Sequence, residues 1–322
     1  MASDQPLRLA YIGAGGFTKS FMYPQLRAHP VTLAAVCDLA EEKAQLASAQ
    51  YGFERVYTDF RRMLDEVQPE AVICVGGPKV HYEVGRQVLQ AGFPLYLQKS
   101  PAPSAEQTQE LADLAAAAGV VCHVGFNLRQ SEAVRQARQF MSEDFGPLTL
   151  AILRYGLVSG RTLEDAVMDQ HCHAYDTLRH LAGEVEEVEV QVATVSGLRA
   201  YVVAARMVSG AVATLNFTSE QPAAQEFFYF EMTGSQGHVL YSHDFDLRCR
   251  RPGASETYLR RGVFTGDRLA DLRWLGYVQD VASFLAAVRG DEPDLSPIAD
   301  AVPTMRLCES VYRKLREQGA EQ

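Results

Sequence analysis

Over residues 1–125 the chain switches repeatedly between two periodicities. Runs rich in apolar and β-branched residues occupy 7–12, 33–37, 71–75, 95–98 and 120–124. Stretches with helical spacing fill 20–28, 41–51, 60–66, 82–90 and 105–118 between them. A strand, a helix and a further strand make a right-handed crossover, which leaves the two strands parallel. Near-continuous apolar strands belong in a sheet covered on both faces. The pattern therefore predicts an α/β domain over 1–125 with a doubly wound parallel sheet, the Rossmann arrangement.

Beyond Gly146 the texture changes. Strand-like runs at 148–155, 185–195, 200–207, 211–218, 227–233 and 238–241 follow one another with few helices between. The partial alternation of 185–195 suits a sheet with one covered face. One helix is predicted over 172–181 and two more, 277–288 and 303–317, close the chain. This predicts a C-terminal α+β domain over 126–322 with a large, open, mostly antiparallel sheet. Its last helix is free to pack back on the first domain. At 322 residues the chain is long for a single core and suits two. Apolar strand residues such as Val190, Val192, Val203 and Leu215 would be exposed if one sheet face stayed uncovered. Such a patch calls for a homodimer or homotetramer through that face.

Charge and cysteine usage exclude several classes. Thirty basic against forty acidic residues give a net charge of -10, the wrong sign for a nucleic-acid binder. The basic group Arg248, Arg250, Arg251, Arg260 and Arg261 reads as a solvated strand and loop edge. The six cysteines show no C-x-x-C pair, and Cys37, Cys74 and Cys122 lie in apolar runs, as in a reduced chain. Residues 1–6 lack the features of a signal peptide, and no apolar run approaches bilayer length. A soluble, cytoplasmic protein with no membrane partner is expected.

The first strand runs straight into Gly13-Ala14-Gly15-Gly16-Phe17-Thr18. Gly13 permits a tight turn, Gly15 lets the backbone approach a pyrophosphate, and a helix N-terminus follows. Thr18 takes the place of the third glycine of the dinucleotide fingerprint. Asp38 ends the next strand, where an acid that binds the ribose hydroxyls is expected. Its charge favours NAD over NADP. Asp38 would also serve as a cap for the helix that starts near Glu41.

These motifs, with four others, resemble the glucose–fructose oxidoreductase and inositol dehydrogenase family (Gfo/Idh/MocA-type oxidoreductases) over almost the whole chain. Gly76-Gly77-Pro78-Lys79-Val80-His81 resembles the family's Thr-Pro-x-x-x-His loop, and Leu97-Gln98-Lys99-Ser100-Pro101 its Glu-Lys-Pro motif. Val124-Gly125-Phe126-Asn127 matches its Val-Gly-Phe-Asn stretch. Asp169-Gln170-His171-Cys172-His173-Ala174-Tyr175-Asp176 resembles Asp-x-Gly-x-His-x-x-Asp. There are departures. Gln98 replaces glutamate, Ser100 proline and His171 glycine, while Gly76 and Gly77 replace hydroxyl-bearing residues.

The resemblance implies a cofactor site of Gly13, Gly15, Gly16, Phe17, Thr18, Asp38, Gly76, Gly77, Pro78, His81, Gln98, Lys99 and Asn127. It also implies a catalytic trio of Lys99, Asp169 and His173. In that reading His173 takes a hydroxyl proton, Asp169 orients it or binds substrate, and Lys99 stabilises alkoxide character. Arg129, Arg154, Tyr155, Gln170, His171 and Asp176 are the candidate substrate contacts. The reaction implied is hydride transfer between a nicotinamide and a CH–OH or C=O group of a sugar, cyclitol or related metabolite. A reductase of a non-sugar carbonyl or imine is an alternative. So is a catalytically inactive regulatory protein of the same fold. No metal is expected, because no further Cys/His constellation completes a ligand set around His171 and His173.

Overall fold

The computed structural model describes residues 5–156, 162–195, 198–218, 227–260 and 267–320. Arg261 and the first four residues lie outside them. The chain forms two compact units, 1–127 with 267–302, and 128–266 with 303–322.

The first unit is built on six parallel strands: β1 (Leu7–Ile12), β2 (Val31–Cys37), β3 (Val56–Tyr57), β4 (Ala71–Cys74), β5 (Leu95–Gln98) and β6 (Cys122–Gly125). Their order is β3-β2-β1-β4-β5-β6, so the winding reverses between β1 and β4. β4, β5 and β6 are buried along their whole length, as the unbroken apolar runs require. Helices Glu41–Tyr51 and Ala105–Ala118 end on Gly52 and Gly119 in the left-handed region, which glycine enters without a steric cost. Asp59 and Ser104 cap helices Phe60–Val67 and Ala105–Ala118 by accepting from the Arg61 and Gln107 N–H groups.

The helix predicted over 20–28 takes another form. A π-helical turn, Thr18–Met22, is followed by one α turn, Tyr23–Leu26, with Pro24 in its first positions. Proline has no N–H to give to a continuous α ladder, and the Tyr23 N–H reaches back five residues to the Thr18 carbonyl. The two-residue strand β3 is too short to leave a periodic signal.

Segment 267–302, placed in the second domain by the sequence reading, packs with this first unit. A polar cluster holds it there. His123 on β6 is fully buried, with Nδ1 2.6 Å from Asp294 Oδ1 and Nε2 3.2 Å from Asp280 Oδ1. The Tyr96 hydroxyl donates to Asp280 Oδ2 at 2.6 Å, and its ring stacks on His123. Burial alone would lower the His123 pKa, but the two carboxylates outweigh it and lift the value to about 9. The Val124 N–H bonds to the Ser296 carbonyl and extends the edge of the sheet. The helix Ile298–Glu317 carries an internal Pro303, and the two units divide there.

The second unit is an eight-stranded sheet. Its strands are β7 (Leu148–Gly156), β8 (Val185–Val195), β9 (Leu198–Met207), β10 (Val212–Thr218), β11 (Phe227–Gly234), β12 (Val239–His243), β13 (Asp246–Arg250) and β14 (Thr257–Leu259). The order is β14-β13-β12-β11-β7-β10-β9-β8, and every pairing is antiparallel except β7 with β10. β13, β14 and the helix Glu132–Met141 are absent from the sequence reading. The helix is capped by Ser131, whose side chain accepts from Val134 N.

One face of this sheet packs against the helix Cys172–Ala182, and burial alternates along β10 and β12 as that requires. The expectation that Val190, Val203 and Leu215 form an exposed patch is corrected. All three point to the covered face and are buried, and Val192 is half-buried. The opposite face carries Arg154, Asn216, Tyr229, Glu231 and Tyr241 beside exposed Val202 and Val212, so it is mixed rather than an apolar patch. Arg248 and Arg250 pair with Glu256, Arg251 pairs with Glu143, and Arg260 is exposed. This is the solvated edge expected of that group.

Candidate active site

In the first unit the chemistry gathers at the carboxyl ends of β1 and β4, where the strand order reverses. Crevices at such points receive ligands in open α/β sheets. Gly13 has φ +104°, and a side chain there would run into the Val75 carbonyl, so the turn after β1 lies directly on the chain leaving β4. Around Gly15 and Gly16, by contrast, nothing stands within 4 Å of where a Cβ would sit. That bare backbone suits a pyrophosphate. Tyr23, which the sequence reading missed, donates its hydroxyl to the Gly13 carbonyl at 3.0 Å. Thr18 is buried, while Phe17 is 37% exposed and stacks on Phe21.

Asp38 is held at the end of β2. Its Oδ2 accepts from the Ala14 N–H at 2.7 Å and its Oδ1 from the Ala40 N–H at 2.9 Å. It thus braces the glycine turn, and the residue capping the next helix is Ala40, with no side-chain bond. Each carboxylate oxygen retains acceptor capacity for a ribose hydroxyl.

After β4, Pro78 opens the helix Pro78–Gln90, a position where its missing N–H costs nothing. Gly76 lies against Val80, and Gly77 is open. His81 is fully buried; its Nε2 accepts from the Gly76 N–H at 2.9 Å and its Nδ1 lies 2.7 Å from the Ser100 carbonyl. At the end of β5, Gln98 is buried and its Oε1 accepts the Lys99 N–H at 2.7 Å. The amide therefore makes the backbone contact that a glutamate oxygen would make. Lys99 is half-buried. Asn127 donates to the Leu275 carbonyl at 2.8 Å, while its buried Oδ1 has no hydrogen-bond partner.

In the second unit a π-helical turn, Ala166–Gln170, leads directly into the helix Cys172–Ala182. Isolated π turns concentrate at functional sites, because they re-aim side chains within a helix. This one carries Asp169 and Gln170, both half-buried, and delivers His171 and His173 to the helix start. The Gln170 Oε1 is buried without a hydrogen-bond partner. His171, in place of the family's glycine, is buried and stacks on Phe217 with ring centres 4.5 Å apart. Its Nδ1 lies 2.5 Å from the Tyr201 hydroxyl, which is in turn 3.2 Å from the Tyr175 hydroxyl. Burial pushes both tyrosines well above the ordinary value, so they remain neutral hydrogen-bonding groups. His173 is also buried, with its ring 6.3 Å from that of Tyr155 on β7. Tyr155 faces the helix, whereas Arg154 points to the other side of the sheet and is exposed.

Arg129 and Asp176, both read as substrate contacts, face each other. The guanidinium donates to both carboxylate oxygens, at 2.8 and 2.5 Å, and Thr304 donates to Oδ1 at 3.1 Å. All three are buried. No trio of His, Cys, Asp or Glu among the described residues converges as a metal site.

A doubly wound sheet with a glycine-floored crevice at its switch point defines a nucleotide-binding domain. The family model for the NAD-binding Rossmann fold of the Gfo/Idh/MocA oxidoreductases matches residues 7–126, and the model for the family's C-terminal alpha/beta domain matches 164–320. The chain belongs to that family.

Among its relatives, D-apiose dehydrogenase of Paraburkholderia graminis is 24% identical over 96% of this chain and 87% of that protein. D-glucoside 3-dehydrogenase of Escherichia coli is 33% identical, over 42% of this chain and 39% of that protein's length. Two solved structures share the fold. A dehydrogenase from Chromobacterium violaceum has a TM-score of 0.89 at 21% identity, covering 98% of this chain and 99% of that one. A levoglucosan dehydrogenase complexed with NADH has a TM-score of 0.84 at 18% identity, covering 97% and 98%.

Proposed function

We propose that the protein oxidises a secondary carbinol of a sugar or cyclitol, or reduces the matching ketone, with NAD rather than NADP. The observation that carries the cofactor reading is the cradle at the β1 turn. Gly13 is forced into a positive φ, bare backbone follows at Gly15 and Gly16, and a carboxylate is pinned beside them by the Ala14 and Ala40 N–H groups. That carboxylate would repel a 2′-phosphate. The substrate class is supported by the named activities of the relatives, which are dehydrogenases of sugars and sugar derivatives.

Bound NAD supplies the hydride acceptor. The chain's own groups do the proton work. His173 takes the hydroxyl proton on its imidazole, Asp169 orients that imidazole or holds a neighbouring hydroxyl, and the Lys99 ammonium stabilises developing alkoxide. Gln170 and His171 are the substrate-facing candidates of the π turn. Arg129 and Asp176 act as a structural pair behind it. The six cysteines, all buried thiols, support a cytoplasmic setting. The open face of the eight-stranded sheet, where Val202 and Val212 are 40% and 52% exposed, is proposed as the self-association surface, and a strictly monomeric mass across a wide concentration range would refute that.

Fluorescence titration with NADH and NADPH, followed by an oxidation panel of D-apiose, levoglucosan, methyl β-D-glucoside and myo-inositol, tests the reading. NADH should bind at least roughly tenfold tighter than NADPH, and Asp38→Ala should narrow the gap. His173→Ala should abolish turnover and leave NADH binding intact. Failure of wild type to bind either nucleotide would sink the assignment.

A further inference from the structure

The cofactor cradle and the Lys99 loop are tied together by one side chain. His81 stands one turn into the helix Pro78–Gln90, and its imidazole bonds to two backbone groups far apart in sequence. Nε2 accepts from the Gly76 N–H, so that nitrogen carries no proton. The ring then holds its proton on Nδ1 and donates it to the Ser100 carbonyl. Gly76 lies in the loop after β4, which Gly13 touches through Val75, and Ser100 follows Lys99 directly. The Lys99 peptide is thus held on both sides, its N–H by Gln98 Oε1 and the next carbonyl by His81. Gly76 precedes the cap residue Gly77, so its N–H lies outside the helix ladder, and His81 reaches back from the helix to satisfy it.

We propose that His81 is a positioning residue for catalysis: one neutral imidazole sets the Lys99–Ser100 loop in register with the dinucleotide loop. The inference rests on the role given to Lys99 under the proposed function. A histidine that only filled the core would stabilise the unit without touching turnover or cofactor affinity.

The two bonds can be removed separately. Glutamine places an amide oxygen near the Nε2 position, so His81→Gln keeps an acceptor for Gly76 and loses the bond to Ser100. Asparagine places an amide N–H near Nδ1, so His81→Asn keeps the bond to Ser100 and loses that to Gly76. The full-length variants are compared by NADH titration, by turnover of whichever of the four panel substrates wild type oxidises fastest, and by thermal melting.

His81→Gln should lower kcat about tenfold or more with NADH affinity within about twofold. His81→Asn should weaken NADH about five- to tenfold and lower kcat less than His81→Gln does. Variants that melt earlier yet keep wild-type kcat and NADH affinity when folded would overturn the proposal, as would equal effects of the two on both readouts. Lys99→Ala separates the two ideas. If it leaves kcat unchanged, the role of Lys99 falls whatever His81 does. If wild type oxidises none of the four panel substrates, the substrate reading fails, and the proposal is then decided by whether only His81→Asn weakens NADH.

Discussion

At the residue scale, Gly13 is the position where backbone conformation and the proposed cofactor cradle coincide most closely. A Cβ there meets the Val75 carbonyl, and φ +104° is outside the range that L side chains accept readily. Gly13→Ala should therefore destabilise the first unit by about 2 kcal/mol or more and weaken NADH at least roughly tenfold. Thermal melts and fluorescence titration check both. Gly15→Ala meets open space instead, so it should leave the melting temperature nearly unchanged and still weaken NADH. Gln98 shows how little a departure from a motif needs to disturb. Its amide oxygen holds the Lys99 N–H, which a glutamate oxygen can also do, so Gln98→Glu should leave NADH affinity within about twofold of wild type.

Buried charge pairs join elements that are distant in sequence, beside the apolar packing of both units. Arg129, ahead of the helix Glu132–Met141, and Asp176, inside the helix Cys172–Ala182, form a bidentate pair with almost no exposure. Breaking such a pair strands one charge in the core. Arg129→Met should cost about 3–5 kcal/mol, and the double variant Arg129→Met with Asp176→Leu should recover much of it. A double variant no better than the single in urea melts would refute this account. The sequence reading assigned both residues to substrate, because a buried Arg–Asp partnership 47 residues apart leaves no local mark. His123 with Asp280 and Asp294 is the same case in the first unit. Its partners lie 157 and 171 residues further along the chain.

For the molecule as a whole, two histidines should shape the pH dependence of stability from opposite sides. Carboxylates raise His123 from 6.5 to about 9 despite its burial, so its contribution is complete below pH 6.5 and lost as pH rises through 9. Burial, helped by Arg273, lowers His29 to about 4, so its contribution is complete above pH 6.5 and lost as pH falls through 4. Each limb is on the order of 3 kcal/mol. Urea midpoints should be highest near pH 6.5; His123→Asn should flatten the alkaline limb and His29→Asn the acid one. Alternating periodicities were enough to define the parallel sheet, and the glycine turn with Asp38 and four further motifs to point to the family, because those signals arise from neighbours along the chain. Strand order, the return of 267–302 to the first unit, the pairing of Arg129 with Asp176 and the two-ended grip of His81 were decided only in three dimensions. Each depends on groups far apart in sequence, and burial chose their partners by the cost of leaving a polar group alone.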